Sequence, residues 1–290
     1  MSEPKLHHFV PRFYLDRFAD SAGGFWVWDR VRDAVFKGSA ATVAVGTQFY
    51  RHEELESHGH DPLTMEKQLS QLEGDVAAIT GRWLEQIAQA AIGDRIGDPA
   101  AERDTVSLFL ALQYLRTADS RDILSAIASD GRNELSPQDL RAAHLDLLWD
   151  ENVFQALADR FASMTWMYPR NSSSRPLVTS DNPVLFRTQD NRQWVKLGVM
   201  SEGTYLNYPL SPTVTLYAYP REGKWAPVQK FDGQISPVDL DDGMVLGDNQ
   251  GQVFMSGRQV YSSTNDFEWA RDFAATIGTD IYAPNEDELT

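Results

Sequence analysis

The strongest constraint on this fold is a change of apolar period at both ends of the chain's middle third. Met65, Leu69, Leu72, Val76, Ile79, Trp83 and Ile87 recur every three or four positions, forming one seam of a helix that ends at Gly93 to Pro99. A second helix over 101–116 buries Val106, Phe109 and Leu110, and a third is expected near 119–128. Ser136-Pro137 then supplies a capping residue with proline at the first helical position, ahead of Leu140, Ala143, Leu147 and Leu148. Val153, Phe154, Leu157, Phe161 and Met164 close the helical series. Outside it, Phe25-Trp26-Val27-Trp28 reads as a strand covered on both faces, returning after a turn at 29–33 through Ala34 to Lys37. Later strands are expected at 165–168, 177–179, 184–186, 205–210, 214–219 and 259–262, with a helix after Asp248 and another over 267–277. Strand-rich ends around a helical middle specify an α+β fold, in which a mixed or antiparallel sheet from the N- and C-terminal segments packs against a central helical block. The expected unit is a single domain over 1–290. It is strand-rich in 1–60, helical in 65–164, strand-rich again in 165–265, and ends in a helix and acidic tail over 266–290.

Composition removes several classes of function. The chain has no cysteine, so disulfides, thiolate metal sites and cysteine nucleophiles are excluded, and any divalent metal ion must be held by His, Asp, Glu or carbonyl oxygen. The net charge of −16 is unevenly placed: residues 1–40 carry six basic and five acidic side chains, residues 231–290 two and twelve. That balance argues against general nucleic-acid coating and gives the acidic C-terminal region the charge to meet a basic protein partner. No run of about 18 apolar residues and no basic-then-apolar leader occurs, so the expected setting is cytoplasmic, away from membranes. A Gly-rich phosphate loop, a nucleophile elbow and a zinc-protease motif are also missing.

The densest chemistry lies in residues 5–18, which hold His7, His8, Arg12, Tyr14 and Arg17 among apolar side chains. Pro11 sets its own φ and biases Val10 to extended geometry, so 7–10 are read as a strand or arm and 12–18 as a short amphipathic helix. Adjacent strand residues face opposite sides, so His7 and His8 do not chelate one ion as a helical i, i+4 pair would. Either one histidine and Arg12 line an anion-binding or hydrolytic pocket, or the histidine bonds a backbone carbonyl and the arginines pair with acids. Other candidates carry the same duality. Gln113 falls on the buried face of its helix and either orients a site group or bonds a neighbouring loop, with Arg116 in reach of the same place. Glu66 and Glu73 share one helix flank, where acids are usually solvated. Asp181-Asn182-Pro183 stands at a strand end, a common catalytic position that also makes Asx turns unaided. His52, Glu53, Glu54, Glu56, His58, His60 and Asp61 lack regular ligand spacing and read as a polar loop, and His144 reads as a surface or packing residue.

His-His-Phe-Val-Pro-Arg-Phe-Tyr-Leu at 7–15 resembles the opening motif of the domain-of-unknown-function 4238 family, a largely bacterial group. Gln113-Tyr114-Leu115-Arg116-Thr117, Thr179-Ser180-Asp181-Asn182-Pro183-Val184 and Pro209-Leu210-Ser211-Pro212 fit that family's pattern in order. The resemblance spans most of the chain and implies no reaction. The His-His-x-x-Pro spelling is also similar to the first half of an HNH-type nuclease motif, whose helix-borne asparagine and histidine have no counterpart here.

Two readings of function are therefore open. In the first, the protein is a phosphodiesterase-like, nuclease-like hydrolase of a phosphate-bearing substrate. His7 or His8 is then general base or metal ligand, Arg12 stabilises negative charge, and Asp181 orients the histidine or holds a divalent cation. Tyr14, Gln113, Arg116 and Asn182 complete its substrate-binding set. In the second, the protein is a non-catalytic sensor or interaction module and the motif is a structural latch. The expectation is that His7 or His8, Arg12, Arg116 and Asp181 border one concave site; a histidine within hydrogen-bonding reach of Asp181 in an open pocket favours the first reading, and side chains buried and satisfied by backbone favour the second.

Overall fold

In the computed structural model, which describes residues 6–47, 64–97, 100–117, 136–192, 194–196 and 199–278, the chain opens with strand β1 (Leu6–His8). Pro11, at φ −63° and ψ 144°, turns it into the four-residue helix α1 (Arg12–Leu15), continued by a 3-10 turn (Asp16–Phe18). Four residues are too few to hold a helix by backbone bonding alone. Burial of Tyr14, Leu15 and Phe18 holds this one. The hairpin β2 (Phe25–Asp29) and β3 (Ala34–Gly38) and the short β4 (Val45–Thr47) follow.

The helical block consists of α2 (Thr64–Gln89), α3 (Ala100–Leu115), α4 (Pro137–Trp149) and α5 (Glu151–Ala162). On α2 the predicted seam is inward: Val76, Ile79, Trp83 and Ile87 are buried and Leu72 partly so, with α3 contributing Val106, Phe109 and Leu110 to the same core. Trp83 ties three elements together. Its Nε1 donates to Glu102 Oε2 of α3 at 2.9 Å, and its ring meets Trp166 edge-on at 6.1 Å. Ser136 caps α4 through a reciprocal pair with Asp139, as the Ser-Pro signal predicted.

The strands β5 (Thr165–Tyr168), β6 (Thr179–Ser180), β7 (Leu185–Arg187), β8 (Tyr205–Ser211), β9 (Val214–Tyr219) and β10 (Gln234–Ile235) come next, then helix α6 (Asp242–Met255), β11 (Gln259–Ser262) and helix α7 (Glu268–Ala274). One sheet has the order β10-β5-β9-β8-β7, antiparallel except for the parallel β10/β5 pair. The other has the order β3-β2-β11-β6, so the N-terminal hairpin and a C-terminal strand build one antiparallel sheet. β1 and β4 form a separate ribbon. This is an α+β fold, with β2 central rather than at an edge.

Several boundaries differ from expectation: the strand expected at 177–179 is Thr179–Ser180, the helix expected over 267–277 is Glu268–Ala274, and the largest difference is in the last long helix. The last long helix begins at Asp242, not after Asp248, with Asp241 accepting from Met244 N at 2.8 Å. Gly243 and Gly247 make its first turns read as loop, and Gly251 follows in the third turn. Tertiary contact explains why Gly251 is there, since a Cβ at that position would come within 2.7 Å of the Trp194 ring. The helix expected at 119–128, the histidine and acid cluster at 52–61 and the tail beyond 278 lie outside the described residues.

Because α6 starts early, Asp248 is interior to it and buried against the larger sheet, where Tyr217 OH donates to its Oδ2 at 2.5 Å. Burial raises this carboxyl from 3.8 to about 6, opposed by the Tyr217 and Asn207 contacts and the Arg187 charge.

Two outcomes follow. Trp28 is 2% exposed and Trp26 half-buried, so Trp28→Ala should cost about 3–5 kcal/mol and Trp26→Ala distinctly less in chemical denaturation. A raised folded-state value means that the native state holds a proton which the unfolded state has lost; the resulting stability is complete below pH 3.8 and disappears as pH rises through about 6. Asp248→Asn should remove that dependence and leave the variant more stable than wild type at pH 7.5, by a few kcal/mol. Denaturation at pH 5 and pH 7.5 measures both effects.

Candidate functional site

The opening motif divides its side chains between core and surface. Val10, Tyr14, Leu15 and Phe18 enter the main core. His8, Arg12 and Phe13 line an open pocket of about 280 Å³ whose other wall is α2, at Ser70, Glu73, Gly74 and Ala77. The α2 residues are spaced three and four apart, so they present one face of the helix.

Four groups fix the geometry of this pocket in series. Gln113 Nε2 donates to the Phe9 carbonyl at 3.0 Å, and Gln113 Oε1 accepts from Arg116 Nε and Nη2 at 3.0 and 2.6 Å. Arg116 Nη1 then reaches Glu73 Oε1 at 2.6 Å. The Arg116 side chain is 0% exposed and Glu73 25% exposed, so a fully buried guanidinium holds a carboxylate at the pocket wall. The order follows from donor chemistry: a planar guanidinium needs several acceptors at once, and an amide can accept from it while donating elsewhere.

His8 Nε2 lies 3.1 Å from the Ala40 carbonyl. Burial lowers the imidazole's pKa below its ordinary 6.5; Arg12 lowers it further, while the Ala40 bond and Glu73 pull the other way. At neutral pH the ring is therefore mainly uncharged, and its Nε2 faces the Ala40 carbonyl. Arg12 is exposed, and among the described residues it has no hydrogen-bond or ion-pair partner. With Glu73 and Arg116 balancing each other, Arg12 supplies the pocket's net charge.

The remaining candidates sit elsewhere. His7 is described in its backbone, paired with Gly46 in the β1/β4 ribbon, and its side chain lies outside the described part. Tyr14 is buried: its OH is 2.7 Å from Thr179 Oγ1, its ring stacks on Tyr208 at 4.9 Å, and burial raises the phenol well above 10. Asp181 does not line the pocket. Its carboxylate accepts from the backbone N–H groups of Gly257, Arg258 and Gln259 at 2.8–2.9 Å, closing the turn between α6 and β11. The buried Asn182 belongs to the same corner through Ser180, whose hydroxyl also meets Gln252 at 2.8 Å. His144, read as a surface or packing residue, is buried with Nε2 2.8 Å from the Leu115 carbonyl. Gln113 and Arg116 do not border the pocket as expected: being fully buried, they stand behind its wall and reach it through Phe9 and Glu73. The Asp181 segment meets the opening run through Tyr14 and Thr179, away from that pocket's lining.

Among the described residues no group of three or more His, Asp or Glu side chains is placed to hold a metal ion. Nor is any described helix long and apolar enough to cross a membrane.

The family model described as a protein of unknown function, DUF4238, matches residues 6–266 of the 290. The chain belongs to this family. No curated protein and no solved structure matches it. In this DUF4238 chain, three of the four segments that carried the resemblance meet around Tyr14 and Gln113, and the fourth adjoins Tyr208, on which Tyr14 stacks.

Glu73 is the member of the pocket that sequence reasoning passed over as a solvated flank. A signal for it was present: Gly74 inside a long helix, with Ser70 and Ala77 on the same face, marks a place where the helix has no side chain to fill the space beside Glu73.

Removing the middle of the relay should be costly. Gln113→Ala removes the donor to the Phe9 carbonyl and the acceptor of two guanidinium N–H bonds, and should destabilise the protein by roughly 2–4 kcal/mol in urea denaturation.

Proposed function

We propose that the pocket between α1 and α2 is an anion-binding active site and that the protein hydrolyses a small phosphate-containing substrate. The observation that carries this reading is Arg12, a cation with no described partner, standing in a pocket beside an uncharged imidazole. Arg12 would bind the phosphate and stabilise charge that develops on its oxygens. His8 would accept the proton of the attacking water, while its contact with the Ala40 carbonyl fixes the ring. Glu73 would favour the imidazolium as it forms, and Arg116 would keep Glu73 from turning toward the phosphate. Asp181 has no part in this scheme, because three backbone N–H groups engage its carboxylate at the far turn.

A second reading has its own support. The His8 contact to Ala40 and the Gln113 contact to Phe9 both tie the opening arm to the body of the protein, which is the work of a latch. On that reading the protein is a non-catalytic module whose acidic C-terminal region meets a basic partner.

Anion titration separates the two. Inorganic phosphate should bind the wild type, and Arg12→Ala should weaken it by about 10- to 100-fold, the value of one charge-assisted hydrogen bond. Unchanged affinity in the variant would remove Arg12 from the site and leave the latch.

A further inference from the structure

Resting on the reading of the pocket as a phosphate site, we infer that its substrate is a small phosphate monoester whose organic group is flat and apolar and lies against the bare stretch of α2 at Gly74 and Ala77. Beyond His8, Arg12 and Glu73, the lining is Phe13, Gly74, Ala77 and Ser70, a ring and small side chains with little to offer a second charge or a sugar. The volume sets a size. About 280 Å³ exceeds the roughly 150 Å³ in which a cavity can hold benzene, leaving room for one ring and a phosphate but not for an enclosed length of polymer.

Gly74 bears on the shape of the ligand. A glycine inside a helix weakens it relative to alanine, so its presence calls for a physical reason. Backbone conformation is not the reason, since Gly74 is absent from the positive-φ positions. Close packing is not the reason either, because a Cβ built there meets no atom within 4 Å. What Gly74 leaves is room in the pocket beside Arg12 and Phe13. Gly81 on the same helix has the same open surroundings but does not line the pocket, which makes it the control.

The test is calorimetric titration of the full chain with inorganic phosphate and with phenyl phosphate, in wild type, Arg12→Ala, Gly74→Leu, Gly74→Ala and Gly81→Leu. Phenyl phosphate should bind wild type at least about tenfold more tightly than inorganic phosphate, as expected for partial burial of one ring. Gly74→Leu should abolish that advantage, and Gly81→Leu should leave both affinities as in wild type. Gly74→Ala, which suits the helix, should reduce the advantage in part and keeps the test valid if the leucine variant does not fold. Equal binding of the two probes, or indifference to both Gly74 substitutions, overturns this inference while Arg12-dependent phosphate binding still upholds the site. If neither probe binds the wild type, the site reading fails and this inference fails with it.

Discussion

The arrangement depends on one fully buried guanidinium. Arg116 has no exposed surface, so each of its hydrogen-bonding groups must be satisfied from within the protein or the side chain could not be there at all. Gln113 and Glu73 accept from Nε, Nη1 and Nη2, and its planar face lies 5.6 Å from the centre of the Phe109 ring. Meeting that demand fixes three elements at once. Gln113 and Arg116 sit on α3, Glu73 on α2, and the amide's remaining donor seizes the backbone of the opening arm at Phe9. The pocket is a by-product of this satisfaction: the arm is held beside α2 at a place where α2 carries glycine and alanine.

A second hub, built on aromatic packing, secures the other side of the arm. Tyr14 stacks on Tyr208 of β8 and meets Phe18 edge-on at 5.3 Å while its hydroxyl reaches Thr179 of β6. Arg17 extends the clasp to α2 through Thr80 and the Ala77 carbonyl. The seven residues Arg12–Phe18 thereby touch strands of both sheets and the helical block, which explains why so short a segment is so dense in polar groups. Much of that density serves attachment, and the surplus, His8 and Arg12, faces the pocket.

The elements were largely readable because their signals are periodic. The α2 seam, the Ser136-Pro137 start and the strands at 165–168 and 259–262 needed only local pattern. The start of α6 is not legible because Gly243 and Gly247 make its first turns look locally like loop. The site was half readable. Polar groups on apolar faces, such as Gln113 and Arg116, betray a buried network, but sequence does not say which acid answers them. Glu73 is chosen by the crossing of two helices, and Asp181 is claimed by a turn more than seventy residues downstream, neither of which leaves a local trace.

The central place of β2 has a consequence for how the chain is made. Its partner on one side, β11, lies so far along that Asp29 and Arg258, which pair across that junction at 2.6 Å, are 229 positions apart. As the polypeptide leaves the ribosome, the apolar strand Phe25–Asp29 has β3 on one edge and nothing on the other until almost the whole chain has been synthesised. An open edge rich in tryptophan invites pairing with other chains during that interval. During synthesis the strand is therefore expected to pass a long interval with one edge unpaired, when shielding of that edge matters most.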